Sequence, residues 1–354
     1  MKAVSNAHVA VLGAGALGSH LVPLVARDPR VSHLTILDPQ VFQRSNLAAQ
    51  NISRCDVGQS KVGALARRVR SIRPELSVTA IQAAASEVPM GLLRTDMLVA
   101  CLDSRASRQS INEIAFRLGV PWIDLGVLAS AGLARVNVYS PAVESPCLEC
   151  AFDDSDYEAI EAEYPCGVDA AGELPSDTSA ALACLAASLG WLECQKLLGG
   201  EDQLAAIGRQ VLVDARSLRL LTTSLRRRPD CRFDHATWQC VPVCWPLRRT
   251  SVAQALAVAG SLRVPGRRFA QRLRCPRCGF ASTGLRLDRP QARCPLDGAR
   301  MTPPDFSSVF AQLDGSLPAE SLRLSLGQLG LRPGDVVLGA DKAFEILASP
   351  LEEM

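Results

Sequence analysis

Gly13-Ala14-Gly15-Ala16-Leu17-Gly18 directly follows the apolar run Val9-Ala10-Val11-Leu12. A Gly-x-Gly-x-x-Gly turn lets backbone N–H groups approach phosphates at a helix N-terminus, where the helix dipole favours anions. Asp38 closes the next apolar run, placed to accept hydrogen bonds from ribose hydroxyls. Alone, these features fit a nicotinamide-dependent oxidoreductase as well as any other nucleotide enzyme. The polar set that follows does not. Asn46, Gln50 and Lys61 put two amides and an ammonium just beyond the second strand, where a triphosphate would extend. Asp103 follows the apolar run Met97–Cys101, at the carboxyl end of a strand, where open sheets place ligands. One carboxylate with phosphate oxygens can hold magnesium. Hydride transfer needs neither that metal nor that lysine.

The elements that must position these residues are legible as alternating patterns. Residues 8–12 read as a strand, followed by the glycine turn and a helix through about Val25. Leu34–Leu37, Val78–Ile81, Met97–Cys101 and Pro121–Leu125 read as strands, and Val62–Ile72 and Ala106–Leu118 as helices. This alternation predicts an α/β, Rossmann-like fold with a mainly parallel sheet covered on both faces. Ala134–Tyr139 predicts an antiparallel extension, and Gln210–Val213 with Leu218–Thr223 a hairpin. Asp153–Asp177 is acidic and rich in Gly and Pro, and reads as a long mobile loop. Asp177–Leu198 predicts a long helix capped by Asp177 and Thr178 and stopped at Gly199-Gly200. Past residue 245 Pro, Arg and Gly become frequent; a helix is expected around Leu322–Leu329 and a strand around Asp335–Leu338. The expected division is 1–245, 246–304 and 305–354.

A net charge of +2 gives no bulk electrostatic case for nucleic acid or an anionic membrane. Arg226-Arg227-Arg228 reads as a solvated strand end or loop. No signal-peptide pattern opens the chain, and the apolar stretch Ala180–Trp191, interrupted by Ser188, reads as a buried helix. A soluble, cytoplasmic protein is expected. In that reducing compartment the thirteen cysteines point to metal binding or catalysis before disulfides. Cys147-Leu148-Glu149-Cys150 is a tight zinc half-site. Cys275-Pro276-Arg277-Cys278, then fifteen residues, then Cys294-Pro295-Leu296-Asp297 predicts a zinc ribbon with Asp297 as fourth ligand. Cys240 and Cys244 share ligand-like spacing; Cys55, Cys101, Cys184 and Cys194 read as core or incidental thiols. Cys166 has no metal spacing. A loop thiol ahead of a helix N-terminus is a candidate nucleophile through a lowered pKa.

With these residues in view, the chain resembles the adenylation domain of the ThiF/HesA/MoeB superfamily, the ubiquitin-activating (E1-like) type. The matching string is Asp38, Ser45-Asn46-Leu47, Gln50, Val57-Gly58-Gln59-Ser60-Lys61, then Asp103 with Arg108 and Asn112. It continues through Pro146-Cys147-Leu148-Glu149-Cys150 and the helix ending Cys194-Gln195-Lys196-Leu197-Leu198-Gly199-Gly200, covering roughly residues 5–235. The resemblance implies ATP and Mg2+, held by Gly13, Gly15, Gly18, Asp38, Asn46, Gln50, Lys61 and Asp103. It implies a substrate protein, ubiquitin-like or sulfur-carrier, whose C-terminal carboxylate is adenylated, and a homodimer. In thioester-forming members the crossover loop carries the acceptor thiol, here Cys166. The family's second metal pair follows the hairpin, where this chain has Cys231 and His235; with Cys147 and Cys150 they would hold Zn2+, with Cys240 and Cys244 as competitors.

Two departures stand out. Ala49 occupies the position usually held by an arginine before the glutamine, and residues 1–8 offer only Lys2 for an N-terminal arginine. Arg44 or Arg54 is expected to substitute, since either could neutralise developing phosphate charge. The expected activity is activation of a ubiquitin-like protein, followed by thioester formation and transfer to a conjugating (E2-like) enzyme. The competing readings are a sulfur-carrier adenylyltransferase, a nicotinamide-dependent oxidoreductase and a silent zinc-binding scaffold. The zinc ribbon and residues 305–354 are expected to choose partners, docking the ubiquitin-like protein or a downstream conjugating enzyme.

Overall fold

A computed structural model describes residues 3–163, 179–289 and 292–348. It divides into two compact units, residues 1–86 with 93–237, and residues 87–92 with 238–354. In the first, β1 (Ala7–Leu12), α1 (Ala16–Ala26), β2 (Val31–Leu37), α2 (Lys61–Ile72), β3 (Ser77–Ile81), β4 (Met97–Ala100), α3 (Arg105–Leu118) and β5 (Trp122–Leu128) alternate as expected. They continue with β6 (Leu133–Tyr139), α4 (Asp154–Glu163), α5 (Ala180–Leu198), β7 (Arg209–Asp214) and β8 (Arg219–Ser224). The sheet has eight strands in the order β3-β2-β1-β4-β5-β6-β7-β8. Pairing is parallel from β3 to β5 and antiparallel from β5 to β8. The parallel strands are continuous apolar runs because helices cover both faces. Strand order reverses between β1 and β4, which opens the crevice where such sheets bind ligands.

Local signals fix the helices. Ser60 and Ser104 cap α2 and α3 by accepting from the N–H groups of Gly63 and Ser107. Gly119, at φ +68°, ends α3. Ser179 caps α5 by accepting from the Leu182 N–H, while Asp177 and Thr178 lie outside the described residues. The 19-residue α5 is long and apolar enough to span a membrane, but its inward residues pack against the sheet core. The acidic stretch is not wholly loop: its start folds as α4. Asp153 and Asp156 accept each other's backbone N–H, Arg105 and Arg232 pair with Asp156 and Asp154, and early acids suit the helix dipole.

His8 and His33 stack across β1 and β2 with ring centroids 4.1 Å apart, each hydrogen-bonded to a threonine hydroxyl, Thr35 and Thr79. Burial first, then the His33 charge, lowers His8 from 6.5 to about 4, with Asp96 opposing. The unfolded chain therefore takes up this proton below pH 6.5, whereas the native chain resists until about pH 4. His8 costs no stability above the upper value and destabilises the fold as pH falls through that window. Urea unfolding at pH 7.5 and 5 should show the wild type losing about 1–2 kcal/mol more than His8→Leu. Equal losses would remove His8 as the cause.

The second unit contains β9 (Cys240–Val243), α6 (Val252–Ala259), β10 (Phe269–Arg274), β11 (Ala281–Leu287), β12 (Val309–Phe310), α7 (Ala319–Leu322), β13 (Val336–Leu338) and β14 (Ala343–Ile346). β11-β10-β12 and β13-β14-β9 form two small sheets. The expected boundary at residue 304 is not a structural one. Leu247, Leu256 and Phe269 share one core with Leu313, Leu329 and Ile346, and β9 pairs with β14. The helix expected around Leu322–Leu329 does not form: the helical turn is α7, which ends at Leu322, and the chain then turns so that Leu326 and Leu329 enter that core.

Candidate nucleotide and metal sites

A cavity of about 640 Å³ opens at the carboxyl ends of β1, β2 and β4. Gly13, Gly15, Asp38, Asn46, Gln50, Lys61 and Asp103 all line it. The three glycines differ in role. Gly13 has φ +98°, and a Cβ there would meet the Cys101 carbonyl oxygen at 2.5 Å. A Cβ on Gly18 would lie 1.9 Å from the Gly13 carbonyl oxygen, so Gly18 allows α1 to sit on the turn and does not itself line the cavity. Gly15 faces open space and caps α1 without any side-chain bond, leaving helix N–H groups for a ligand.

Asp38 is buried, and its carboxylate already accepts from the N–H groups of Ala14, at 2.7 Å, and Gln40, at 2.8 Å. It shapes the turn while retaining lone pairs for a ribose. Lys61 is 4% exposed. Its partners are neutral: the Gln40 amide oxygen at 2.5 Å, and the Phe42 ring at 5.9 Å. A buried ammonium held only by neutral groups is poised for an anion. Asp103 is exposed at the cavity and makes no side-chain hydrogen bond or ion pair among the described residues. Asn46 closes a capping box with Gln43, and Gln50 Oε1 is buried without a hydrogen-bond partner. These features fit a polyanion that also brings hydrogen-bond donors, as ATP does.

The arginines are not where expected. Arg44 and Arg54 are exposed on short turns of 3-10 helix, outside the cavity lining, and Ala49 is buried. The guanidinium at the cavity belongs to Arg108, bonded to the Leu102 and Leu125 carbonyls and to the fully buried Asp124. Asp124 also holds Arg135 at 2.8 Å. Its place in the α3 pattern marked Arg108 only as part of the family string; its role needs β5 alongside. Gln40, which orients Lys61, left no signal beyond its distance from Asp38. Cys101 lines the cavity, yet burial pushes its thiol well up, which leaves it a poor nucleophile. Cys166 lies outside the described residues.

Cys147, Cys150, Cys231 and His235 come together with their ligand atoms within 4.8 Å of one another. Nδ1 of His235 lies 3.0 Å from the Ser145 carbonyl, which leaves Nε2 facing Cys150 Sγ at 3.5 Å. Asn112 is fully buried behind this cluster: its Oδ1 accepts from Leu148 N–H and its amide donates to Glu149. Cys240 lies in β9 of the second unit and Cys244 just beyond it; neither joins the cluster. Cys275, Cys278, Cys294 and Asp297 form a second cluster, also within 4.8 Å, with Asp297 3.3 Å from Cys275 Sγ. Both donor sets could hold a metal ion, and three thiols with one imidazole or carboxylate suit Zn2+.

The fold and its crevice are those of an ATP-dependent adenylyltransferase. The chain belongs to the ThiF family, whose model matches residues 1–233. It is 30% identical over 234 residues to the SAMP-activating enzyme E1 of Haloferax volcanii, covering 64% of this chain and 79% of that one. It is 27% identical over 236 residues to the molybdopterin-synthase adenylyltransferase of Escherichia coli, covering 65% and 88%. The solved structure of E. coli MccB with ATP shares the fold, with a TM-score of 0.54 at 21% identity over 65% of this chain and 67% of that one.

Proposed function

We propose that the chain activates the C-terminal carboxylate of a ubiquitin-like protein and then takes the acyl group onto Cys166. The supporting observation is a cavity that pairs a buried ammonium, Lys61, with an unpaired carboxylate, Asp103, beside an open glycine turn. The substrate carboxylate is ionised at neutral pH, so its attack on the α-phosphorus needs no general base. The bond to the β-phosphate oxygen breaks and pyrophosphate leaves. Lys61 and Arg108 face the charge that accumulates on the phosphates. Asp103 would hold Mg2+, which screens phosphate charge when bound. The Cys166 sulfur then attacks the acyl carbon, AMP departs, and the thiol proton passes to solvent. A homodimer in the cytoplasm, zinc in both clusters, and transfer to a conjugating enzyme in a bacterial pathway complete this reading.

Relatives named as a molybdopterin-synthase adenylyltransferase and a sulfur carrier protein adenylyltransferase support a second reading, adenylation of a sulfur carrier; in that reading no enzyme thioester forms. Intact-mass spectrometry separates the two. The protein, Mg-ATP and a ubiquitin-like carrier are mixed, with Cys166→Ala in parallel. A carrier-sized adduct that thiol reductant removes, absent from the variant, is the expected result. Adenylated carrier with no adduct would sink the thioester and leave the sulfur-carrier reading.

A further inference from the structure

The near-neutral total charge hides a sharp local excess. Residues 246–304 contain twelve arginines, no lysine and two aspartates, in a chain whose total is +2. One of those aspartates, Asp297, belongs to the metal cluster. The arginines are not scattered. Leu273, Cys275, Cys294 and Met301 turn inward to form the small core of the ribbon. Strand alternation puts their neighbours Arg272, Arg274, Arg293 and Arg300 on the opposite face, and all four are exposed. Arg274 opposes Thr302, and Arg293 opposes Arg300 directly.

That last pair is informative. The flanking bonds Cys294 N–H to Ala299 O and Met301 N–H to Ala292 O make it a non-hydrogen-bonded pair, the geometry that brings side chains closest. Like charges directly opposed destabilise a hairpin unless a counter-anion lies between them. Among the described residues, Arg272, Arg274 and Arg293 meet no carboxylate and donate no side-chain hydrogen bond. Arg300 lies within electrostatic reach of Asp288, as Arg267 does. Their strand partners on that face are Thr283, opposite Arg272, and Thr302, opposite Arg274, which give it hydroxyls.

We propose that this face binds the phosphate backbone of a double-stranded nucleic acid. Guanidinium forks match phosphate oxygens bidentately. A protein partner of ordinary kind would need an apolar centre to bury, which this arginine and hydroxyl face lacks. A single strand would need rings to stack on, and the described ribbon residues expose no aromatic side chain. Duplex phosphates need neither. None of these residues lines the nucleotide cavity, and the proposal does not depend on what that cavity activates.

The test is fluorescence anisotropy of the full chain with labelled duplexes of about 20 base pairs, one DNA and one RNA of the same sequence, from about 50 to 200 mM salt. Four phosphate contacts predict a log–log salt slope near −3.6 and roughly a hundredfold loss of affinity across that range. Arg272→Gln/Arg274→Gln/Arg300→Gln should flatten the slope to about −1. Its metal content and ATP affinity should stay those of the wild type. Arg293→Gln relieves the opposed pair, so it should fold at least as well while lowering the slope by about 1. A preference between the duplexes identifies the source of the phosphate. Absence of salt-steep binding, wild-type slopes in both variants, or tighter binding to poly-glutamate than to either duplex would each overturn the proposal.

Discussion

Lys61→Met is expected to lower carboxylate adenylation by about 10²–10³-fold while leaving the fold intact. Lys61 opens α2 and is 4% exposed, and its bonding partners are an amide oxygen and an aromatic ring. A structural lysine at this depth would face a carboxylate, and its loss would destabilise the protein. Here methionine fills a similar volume and removes an uncompensated buried charge, so the melting temperature should hold or rise. ATP-dependent pyrophosphate exchange with the carrier gives the rate. Calorimetric titration of ATP shows whether the loss lies in binding or in the step that follows. A melting temperature that drops sharply, with residual activity in proportion to folded protein, would make Lys61 a packing residue.

The second large effect is expected at the candidate metal cluster of Cys147, Cys150, Cys231 and His235. Cys150→Ser should remove one of the two metal equivalents by elemental analysis and destabilise the first unit by about 3 kcal/mol or more. The reason is the company the cluster keeps. An emptied cluster leaves buried sulfur and imidazole with no cross-link between residues 147–150 and 231–235. Phe116 and Phe233 pack on the cluster, and Asn112 ties its loop to α3. The same helix carries Arg108 to the nucleotide cavity, so adenylation should fall along with stability. Cys278→Ser in the second cluster should remove the other metal equivalent and leave melting of the first unit unchanged. Full metal content in Cys150→Ser would exclude these residues as ligands.

Much of the adenylation unit was legible in its chain. Apolar runs of four to seven residues between glycine, serine and aspartate punctuation mark β1, β2, β4 and β5, because a strand buried on both faces has no polar side to show. The cavity residues were legible for the same local reason: backbone approach demands glycine, and phosphate chemistry demands amides, an ammonium and a carboxylate. The second metal pair was legible only through family resemblance, since Cys231 and His235 lie more than eighty residues from Cys147.

The sequence by itself determined which groups are present and, through short-range sterics, the turns and helix ends that hold them. Tertiary structure decided what those groups face. Arg44 and Arg108 are both arginines near the motif, yet only Arg108 reaches the cavity, because α3 and β5 bring Asp124 and the Leu125 carbonyl to hold it. Asp38 became a brace for the glycine turn because Ala14, twenty-four residues away, presents its N–H there. Residues 246–304 and 305–354 became one unit because a core needs inward faces from both stretches, and neither has enough apolar surface to close one alone. Net charge, a sum over the chain, carried no trace of the arginine face, since alternation along a strand becomes a patch only after neighbouring strands set their register.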